Sequence, residues 1–228
     1  MKREKVYDFN WLALKIHNDF FRRICKQLNG TVVDLGCGTQ PYKDDILNLA
    51  CKYVSVDWSN SYHQSKPTLV SDLNVKVDLP DCFADSVITF SVIEHLHRPG
   101  RLIEEACRIL KPNGRLYLQV PFQWGIHEAP YDYVRFTKFG LQKMLEDAGF
   151  NGIEIQADCG YWVTAILKFN YHSRRFIRGP KIIRWLIHLF LTPLWVTGQV
   201  FSVVADRFDL DENETASYTV CAQKVVAS

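Results

Sequence analysis

The stretch VVDLGCGTQPY, Val32 to Tyr42, ends a short apolar run on an acid, Asp34, and continues through Leu35, Gly36, Cys37 and Gly38. Two glycines one residue apart allow a tight turn and close approach of a ligand to bare backbone. A carboxylate at the end of the run can face a cationic ligand group. The loop lacks the third glycine of a nicotinamide fingerprint, because Pro41 stands in its place. It also lacks the lysine followed by serine or threonine of a nucleoside-triphosphate loop. Asp57 follows about 20 residues later, the separation at which an acid takes the ribose hydroxyls of an adenosine. Asp72 suits an adenine amino group, and Ser91 ends a further apolar run. Taken singly, these residues read as a tight turn, a helix cap and a solvated loop acid. Taken together, they read as one ligand rim.

The elements that must position them follow from periodicity. Asp8 to Leu28 is an amphipathic helix with Leu12, Ile16, Phe20, Ile24 and Leu28 on one face, closed by Asn29-Gly30. Thr31–Leu35, Tyr53–Val56, Thr68–Val70, Ser86–Phe90 and Arg115–Val120 are strands. Helices are expected at Asp44–Cys51, Pro99–Leu110 and Thr137–Ala148, and a turn at Lys111–Gly114. Strands alternating with helices predict an α/β fold, with a parallel sheet and helices on both faces. Ligands of such sheets bind beyond the carboxyl ends of the strands, where Asp34, Asp57, Asp72 and Ser91 lie.

With these motifs in order, the chain resembles the class I S-adenosylmethionine-dependent methyltransferases of the type 11-like group. DLGCG (34–38), VSVDW (54–58), SDLN (71–74), FADSVITFSVIEHLHRP (83–99) and RILKPNGRLYLQVP (108–121) carry the likeness over Val32 to Phe150. A looser likeness points to members in bacterial surface-glycan and lipid biosynthesis. The resemblance implies a Rossmann-like, mostly parallel seven-stranded sheet and S-adenosylmethionine as cofactor. It further implies that Asp34 orients the cofactor's ammonium group and that Gly36 and Gly38 pass under its methionine part, with Leu35 and Cys37 in the same loop. Asp57 would bind the ribose, Trp58 would pack on the adenine, Asp72 and Leu73 would read its edge, and Ser91 and Val92 would line the methyl-donor side. Gln40 departs from the family pattern, which has a glycine there frequently.

The acceptor is expected against Pro121–Thr137, an aromatic and polar segment without periodicity. His127 is the best base by intrinsic acidity, with Glu128 to orient it. Tyr131 and Tyr133 either contact substrate or pack. Asp132 and Arg135 either take part in catalysis or form a structural ion pair. Glu94 and His95 face the cleft by resemblance and serve either the turn or the chemistry. His95 and His97 form H-x-H, a poor metal signal with no third ligand evident, so no metal is expected.

The chain reads as one domain, 1–228. It comprises an N-terminal helix (1–30), a cofactor-binding core (31–158), a basic and apolar helical insertion (159–210) and a last strand (216–225), with Ile153–Ala157 and Ser217–Lys224 as the closing strands. No acid occurs between Asp158 and Asp206, whereas Lys168, Arg174, Arg175, Arg178, Lys181 and Arg184 fall in that interval. An apolar run, Ile182–Ala205, follows, and Pro193 is expected to break it. Tryptophans 185 and 195 beside a basic flank suit a helix lying in an anionic membrane interface through 168–205. A packed lid or a homodimer contact is the competing reading.

Composition excludes other classes. With 47% apolar residues the chain is globular. A net charge of +2, and a basic cluster joined to an apolar segment, argue against nucleic acid as partner. Seven scattered cysteines indicate free thiols in a reducing cytoplasm. The charged start MKREKVYDF has no apolar run behind it, so no signal peptide is expected. The expected function is methyl transfer, chiefly to oxygen, on a glycan or lipid-linked intermediate at the inner membrane face. A soluble small molecule or quinone, or a catalytically silent cofactor-binding partner protein, is the alternative.

Overall fold

The protein was analysed as a computed structural model, which describes residues 4–49, 52–59, 66–209, 211 and 213–225. Seven strands form one sheet: β1 Thr31–Leu35, β2 Lys52–Asp57, β3 Leu69–Val70, β4 Ala84–Phe90, β5 Leu110–Pro121, β6 Phe150–Ala157 and β7 Ser217–Lys224. Their order is β3-β2-β1-β4-β5-β7-β6. The first five are parallel, and β7 runs antiparallel to both β5 and β6. The strand order reverses between β1 and β4, which opens a crevice at their carboxyl ends.

Side-chain alternation sets the two faces. Val32, Tyr53 and Tyr117 face helix α1, Trp11–Ile24, and pack with Phe20, Phe21 and Ile24. Val33, Leu35, Val54, Val56, Leu116 and Leu118 point the other way. There they meet Leu102, Ile103 and Ala106 of α3, Pro99–Ile109, and Leu141 and Leu145 of α4, Lys138–Asp147. Thr137 caps α4 by accepting from Gly140 N.

Several boundaries differ from the sequence reading. The N-terminal helix begins at Trp11 after turns at 6–10, and ends in a 3-10 turn, Cys25–Gln27. The second helix, α2, is only Lys43–Leu47; the expected extension to Ala50 and Cys51 lies outside the described residues. Lys111–Gly114 is not a free turn but a bulge within β5. Leu110 pairs with Ala84 and Arg115 with Ser86, so the four residues between oppose Asp85 alone. The Asp85 carboxylate accepts from Lys111 Nζ at 2.8 Å and from Thr31 N at 2.8 Å, which fixes the excursion to the sheet. β6 starts at Phe150, earlier than expected, with a bulge between Asn151 and Glu154.

Two helices stand between β6 and β7: α5, Tyr161–Arg174, and α6, Lys181–Ala205. Pro193 does not break the apolar run; it lies inside a continuous 25-residue helix. An interior proline removes one helix hydrogen bond. Polar ties close behind it hold the helix in place: Trp195 Nε1 donates to Ser173 Oγ at 2.9 Å, and Gln199 Oε1 accepts from Asn170 Nδ2 at 3.1 Å. Gln199 Nε2 donates to Val6 O at 2.7 Å, which joins α6 to the N-terminal segment.

The end of α6 caps the start of α5. Gly160, at the N-cap of α5, has no side chain to satisfy the helix's first amides. The Asp206 carboxylate does so, accepting from Gly160 N at 2.7 Å and Trp162 N at 2.9 Å. Asp206→Ala should therefore lower stability by about 1–3 kcal/mol, the range of a lost cap and of charge-assisted hydrogen bonds. Urea denaturation measures the loss. Amide exchange should quicken at Gly160 and Trp162 before it does in β1 or β4.

Candidate functional site

The crevice at the switch point is a cleft of about 670 Å³ that receives residues from the glycine loop, β2, the turns after β3 and β4, and Trp124–Tyr133. The glycine loop is stitched to β2: Gly36 N and Cys37 N both donate to Val56 O, at 2.8 and 3.1 Å. Gly36 has φ +79°, and a Cβ there would lie 2.3 Å from Val92 Cγ2. Only glycine satisfies both the left-handed backbone and this contact. Gly38 is also left-handed, at φ 49°, as is Gln40 at 55°. The departure at Gln40 thus falls on a position whose backbone favours glycine, and its Nε2 donates to Lys66 O at 2.8 Å. Burial pushes the Cys37 thiol up to about 12, so it is an inert wall residue.

The acids have different surroundings. Asp57 is buried; its Oδ2 accepts from Gly38 N at 2.9 Å and its Oδ1 from Trp58 N at 2.8 Å. Its carboxylate therefore shapes the loop and still lines the cleft, and a carboxylate has lone pairs for further donors. Asp34 shares the sheet face of Val32 and lies behind the wall, accepting from Tyr53 OH at 2.6 Å. Burial raises its pKa to about 7 against the opposing hydrogen bond from Tyr53. Asp72 is exposed and caps its own turn, taking Asn74 N and Asn74 Nδ2 at 2.9 Å each, while Leu73 is buried against the cleft. Ser91 and Val92 line the cleft after β4. Trp58 meets Tyr131 edge to face, with ring centroids 5.0 Å apart, so the turn after β2 and the segment after β5 touch here.

The acceptor wall is tied to the turn after β4, since the backbone carbonyl of Glu94 accepts from Tyr133 N at 2.9 Å. Asp132 and Arg135 form a two-pronged ion pair, with Nη1–Oδ1 2.6 Å and Nη2–Oδ2 2.8 Å. Asp132 also accepts from His127 N at 2.9 Å. The Arg135 guanidinium holds its carboxyl down at about 2. Both side chains stand behind the cleft and brace it. Glu128 Oε2 lies 4.0 Å from His95 Nε2, and Asp132 Oδ2 lies 3.4 Å from His127 Nδ1. Burial and the neighbouring His95 lower the pKa of His127.

Glu94 supplies the third donor that H-x-H did not reveal. Its carboxylate lies 3.7 Å from His95 Nε2 and 3.9 Å from His127 Nε2, whereas His97 turns toward Tyr133. Glu94 is 0% exposed, and burial pushes its pKa up to about 8. Sequence reasoning also missed the roof, formed by Asn10, Leu14 and His17 near or on α1 and by Leu167 and Tyr171 on α5, which meets Trp124 of the expected segment. No motif marks them, because helix periodicity reports the buried face and not what the other face covers.

The loop fits the cofactor: bare left-handed backbone at Gly36 and Gly38, with a buried acid at its edge. If Asp57 accepts from the ribose, Asp57→Ala should weaken binding of S-adenosylhomocysteine by about tenfold or more in calorimetry, since a hydrogen bond to a charged group contributes about 1.5–3 kcal/mol. A second expectation concerns pH. The folded pKa of Asp34, about 7, exceeds its ordinary 3.8. Its contribution to stability is therefore complete below the unfolded pKa and is lost as pH rises from about 4 through about 7. Asp34→Asn should remove that slope from the difference between the two proteins' unfolding free energies.

A methyltransferase-domain family model matches residues 12–155. A probable S-adenosylmethionine-dependent methyltransferase of Mycobacterium tuberculosis is 27% identical over 157 residues, 63% of this chain and 56% of the relative. The match thus spans little more than half of that relative's length. A ubiquinone biosynthesis O-methyltransferase of Dechloromonas aromatica is 20% identical over 93% of this chain and 84% of its own. Among solved structures, phosphoethanolamine N-methyltransferase 2 of Haemonchus contortus in complex with S-adenosyl-L-methionine superposes with a TM-score of 0.59. It is 14% identical, over 97% of this chain and 57% of that one, a likeness of fold. Sheet order, glycine loop and family match agree: the chain belongs to the methyltransferase-domain family and has the class I fold of S-adenosylmethionine-dependent methyltransferases.

Proposed function

We propose that this enzyme O-methylates a hydroxylated intermediate carried on a lipid, a glycan or a ring compound, at the inner face of the cytoplasmic membrane. One observation carries the reading: α6 is built inside out. The stripe that packs against the protein is Leu191, Trp195, Gln199 and Ser202, with Gln199 and Ser202 fully buried and hydrogen-bonded. Many outward side chains are apolar, including Ile182 at 74%, Trp185 at 62% and Phe190 at 70% exposure. A soluble helix places these the other way round, and a contiguous exposed apolar surface marks an interaction site.

Basic groups border this surface. Arg174, Arg175, Arg178, Lys181 and Arg184 line a groove at the start of α6 that shares Tyr171 with the cofactor cleft. Cations beside exposed tryptophan and phenylalanine suit an anionic lipid interface. The helix is long and apolar enough to cross a bilayer by length and composition alone. Its polar ties to α5 and Val6 favour a helix lying along the domain and on the membrane.

The cleft supports a ring-shaped acceptor. Trp124, Tyr131, Tyr133 and Tyr171 give it an aromatic wall, and His95, His127 and Glu128 give it polar groups. S-adenosylmethionine, when bound, supplies an activated methyl group. The chain aligns the acceptor oxygen, excludes water and assists loss of its proton. That assistance falls to the cluster around His127, the polar end of the acceptor wall. The O-methyltransferase named among the relatives is consistent with oxygen as the acceptor atom.

The test is twofold. Labelled methyl from S-adenosylmethionine should enter the lipid extract of membranes and not the soluble fraction. The protein should co-sediment with anionic vesicles, less with neutral ones, and less at high salt. Replacing Arg178, Lys181 and Arg184 by glutamine should weaken anionic binding by roughly 100-fold, at about 1 kcal/mol per basic residue. A protein that stays in the supernatant throughout, and is dimeric by light scattering, assigns the α6 face to a second copy. Label confined to the soluble fraction gives the acceptor to a soluble small molecule.

A further inference from the structure

We infer that Glu94, His95 and His127 form a binding site for a divalent transition-metal ion on the acceptor side of the cleft. Their donor atoms lie within 4.8 Å of one another. The ring nitrogens settle which atoms are offered. His95 Nδ1 lies 2.7 Å from the Tyr131 carbonyl oxygen, which only accepts, so Nδ1 carries the proton and Nε2 presents its lone pair. His127 Nδ1 faces two acceptors, Gly125 O at 3.2 Å and Asp132 Oδ2 at 3.4 Å, which place its proton there as well. Arg135 Nη2, 3.4 Å from the same nitrogen, already donates to Gly125 O and Asp132 Oδ2. The His127 lone pair is therefore also on Nε2.

Both Nε2 atoms face Glu94 Oε1, at 3.7 and 3.9 Å. Neither oxygen of the fully buried Glu94 carboxylate has a hydrogen-bond partner. With Glu94 ionised, three acceptors converge with no donor between them, although buried polar atoms are normally satisfied. A cation resolves the conflict. Two imidazoles and a carboxylate form a donor set used for zinc and for iron(II). A histidine whose other ring nitrogen donates to a backbone carbonyl is the usual arrangement of a metal ligand. The separations of 3.7 and 3.9 Å require a small contraction for donors about 2.0–2.2 Å from a metal. His95 and His127 line the cleft, so the ion's remaining positions open toward the acceptor. An oxygen ligand of the ion would be more acidic there. That last role rests on the O-methylation proposed above; the metal site itself does not.

The full-length protein, treated with chelator and dialysed, is titrated with Zn²⁺ by calorimetry and with Co²⁺ by visible absorption. One ion per chain, a rise in thermal midpoint and a tetrahedral or five-coordinate Co²⁺ spectrum are expected. His127→Ala lies on a loop and tests the site without disturbing the core; Glu94→Gln keeps the buried shape. Each should weaken Co²⁺ binding by more than about 100-fold, beyond the 10–100-fold of an outer-shell partner. Binding of S-adenosylhomocysteine, measured in parallel, reports whether each variant still folds its cofactor cleft. Absence of stoichiometric binding, or binding unchanged in both variants, overturns the site and leaves the cluster sharing a proton. Cofactor binding and label incorporation without metal binding would separate that failure from failure of the methyltransfer proposal.

Discussion

The close approach of Gly36 to Val92 is the contact on which the active cleft depends. It brings the loop after β1 against the turn after β4, where the strand order reverses. Any Cβ at Gly36 would intrude on the valine and strain the left-handed backbone. With the two turns in contact, the Val56 carbonyl can hold Gly36 N and Cys37 N, and Asp57 can hold Gly38 N. Asp57, which lines the cleft, is thus also a structural acid. Its position is fixed by the loop it supports, which is one way a site is preorganised before ligand arrives.

The segment after β5 is built by a different device. Pro121–Thr137 has little regular structure, yet its backbone is anchored at chosen points. The carbonyl of Glu94 receives Tyr133 N, and Asp132 receives His127 N while pairing with Arg135. An ionised carboxylate buttressed by a guanidinium gives an irregular loop a fixed shape. The same arrangement places His95, His127 and the buried Glu94 around one point. Burying an ionised carboxylate there without a partner is costly, which is consistent with its raised pKa.

The insertion ties the exposed apolar face of α6 to the cleft. α5 contributes Leu167 and Tyr171 to the roof, and α6 packs on α5 through Trp195 and Gln199. Asp206 closes the pair by capping α5 from the end of α6. An apolar helix seated through buried polar groups has a fixed rotation about its axis, because a small turn would strand those groups. The outward apolar face is thereby held in register with the mouth of the site.

Much of the fold was legible in the sequence because it rests on local signals. Strand alternation, the glycine pair at 36 and 38, and acids at the ends of apolar runs specified the α/β sheet and the cofactor loop. Local pattern also marked 159–210 as basic, apolar and helical. It misplaced the break at Pro193, because the loss of one helix hydrogen bond was weighed without the tertiary ties beside it. It read Lys111–Gly114 as a turn, because the pairing that makes it a bulge lies on another strand. The paired Nδ1 contacts of His95 and His127, the burial of Glu94 between them, and α1 and α5 as the roof were decided only by tertiary structure. The relations of His95 to Tyr131 and of Glu94 to His127 join residues more than 30 positions apart, and the roof involves opposite faces of a helix. Spacing along the chain carries no information about such pairs until the sheet order has brought them together.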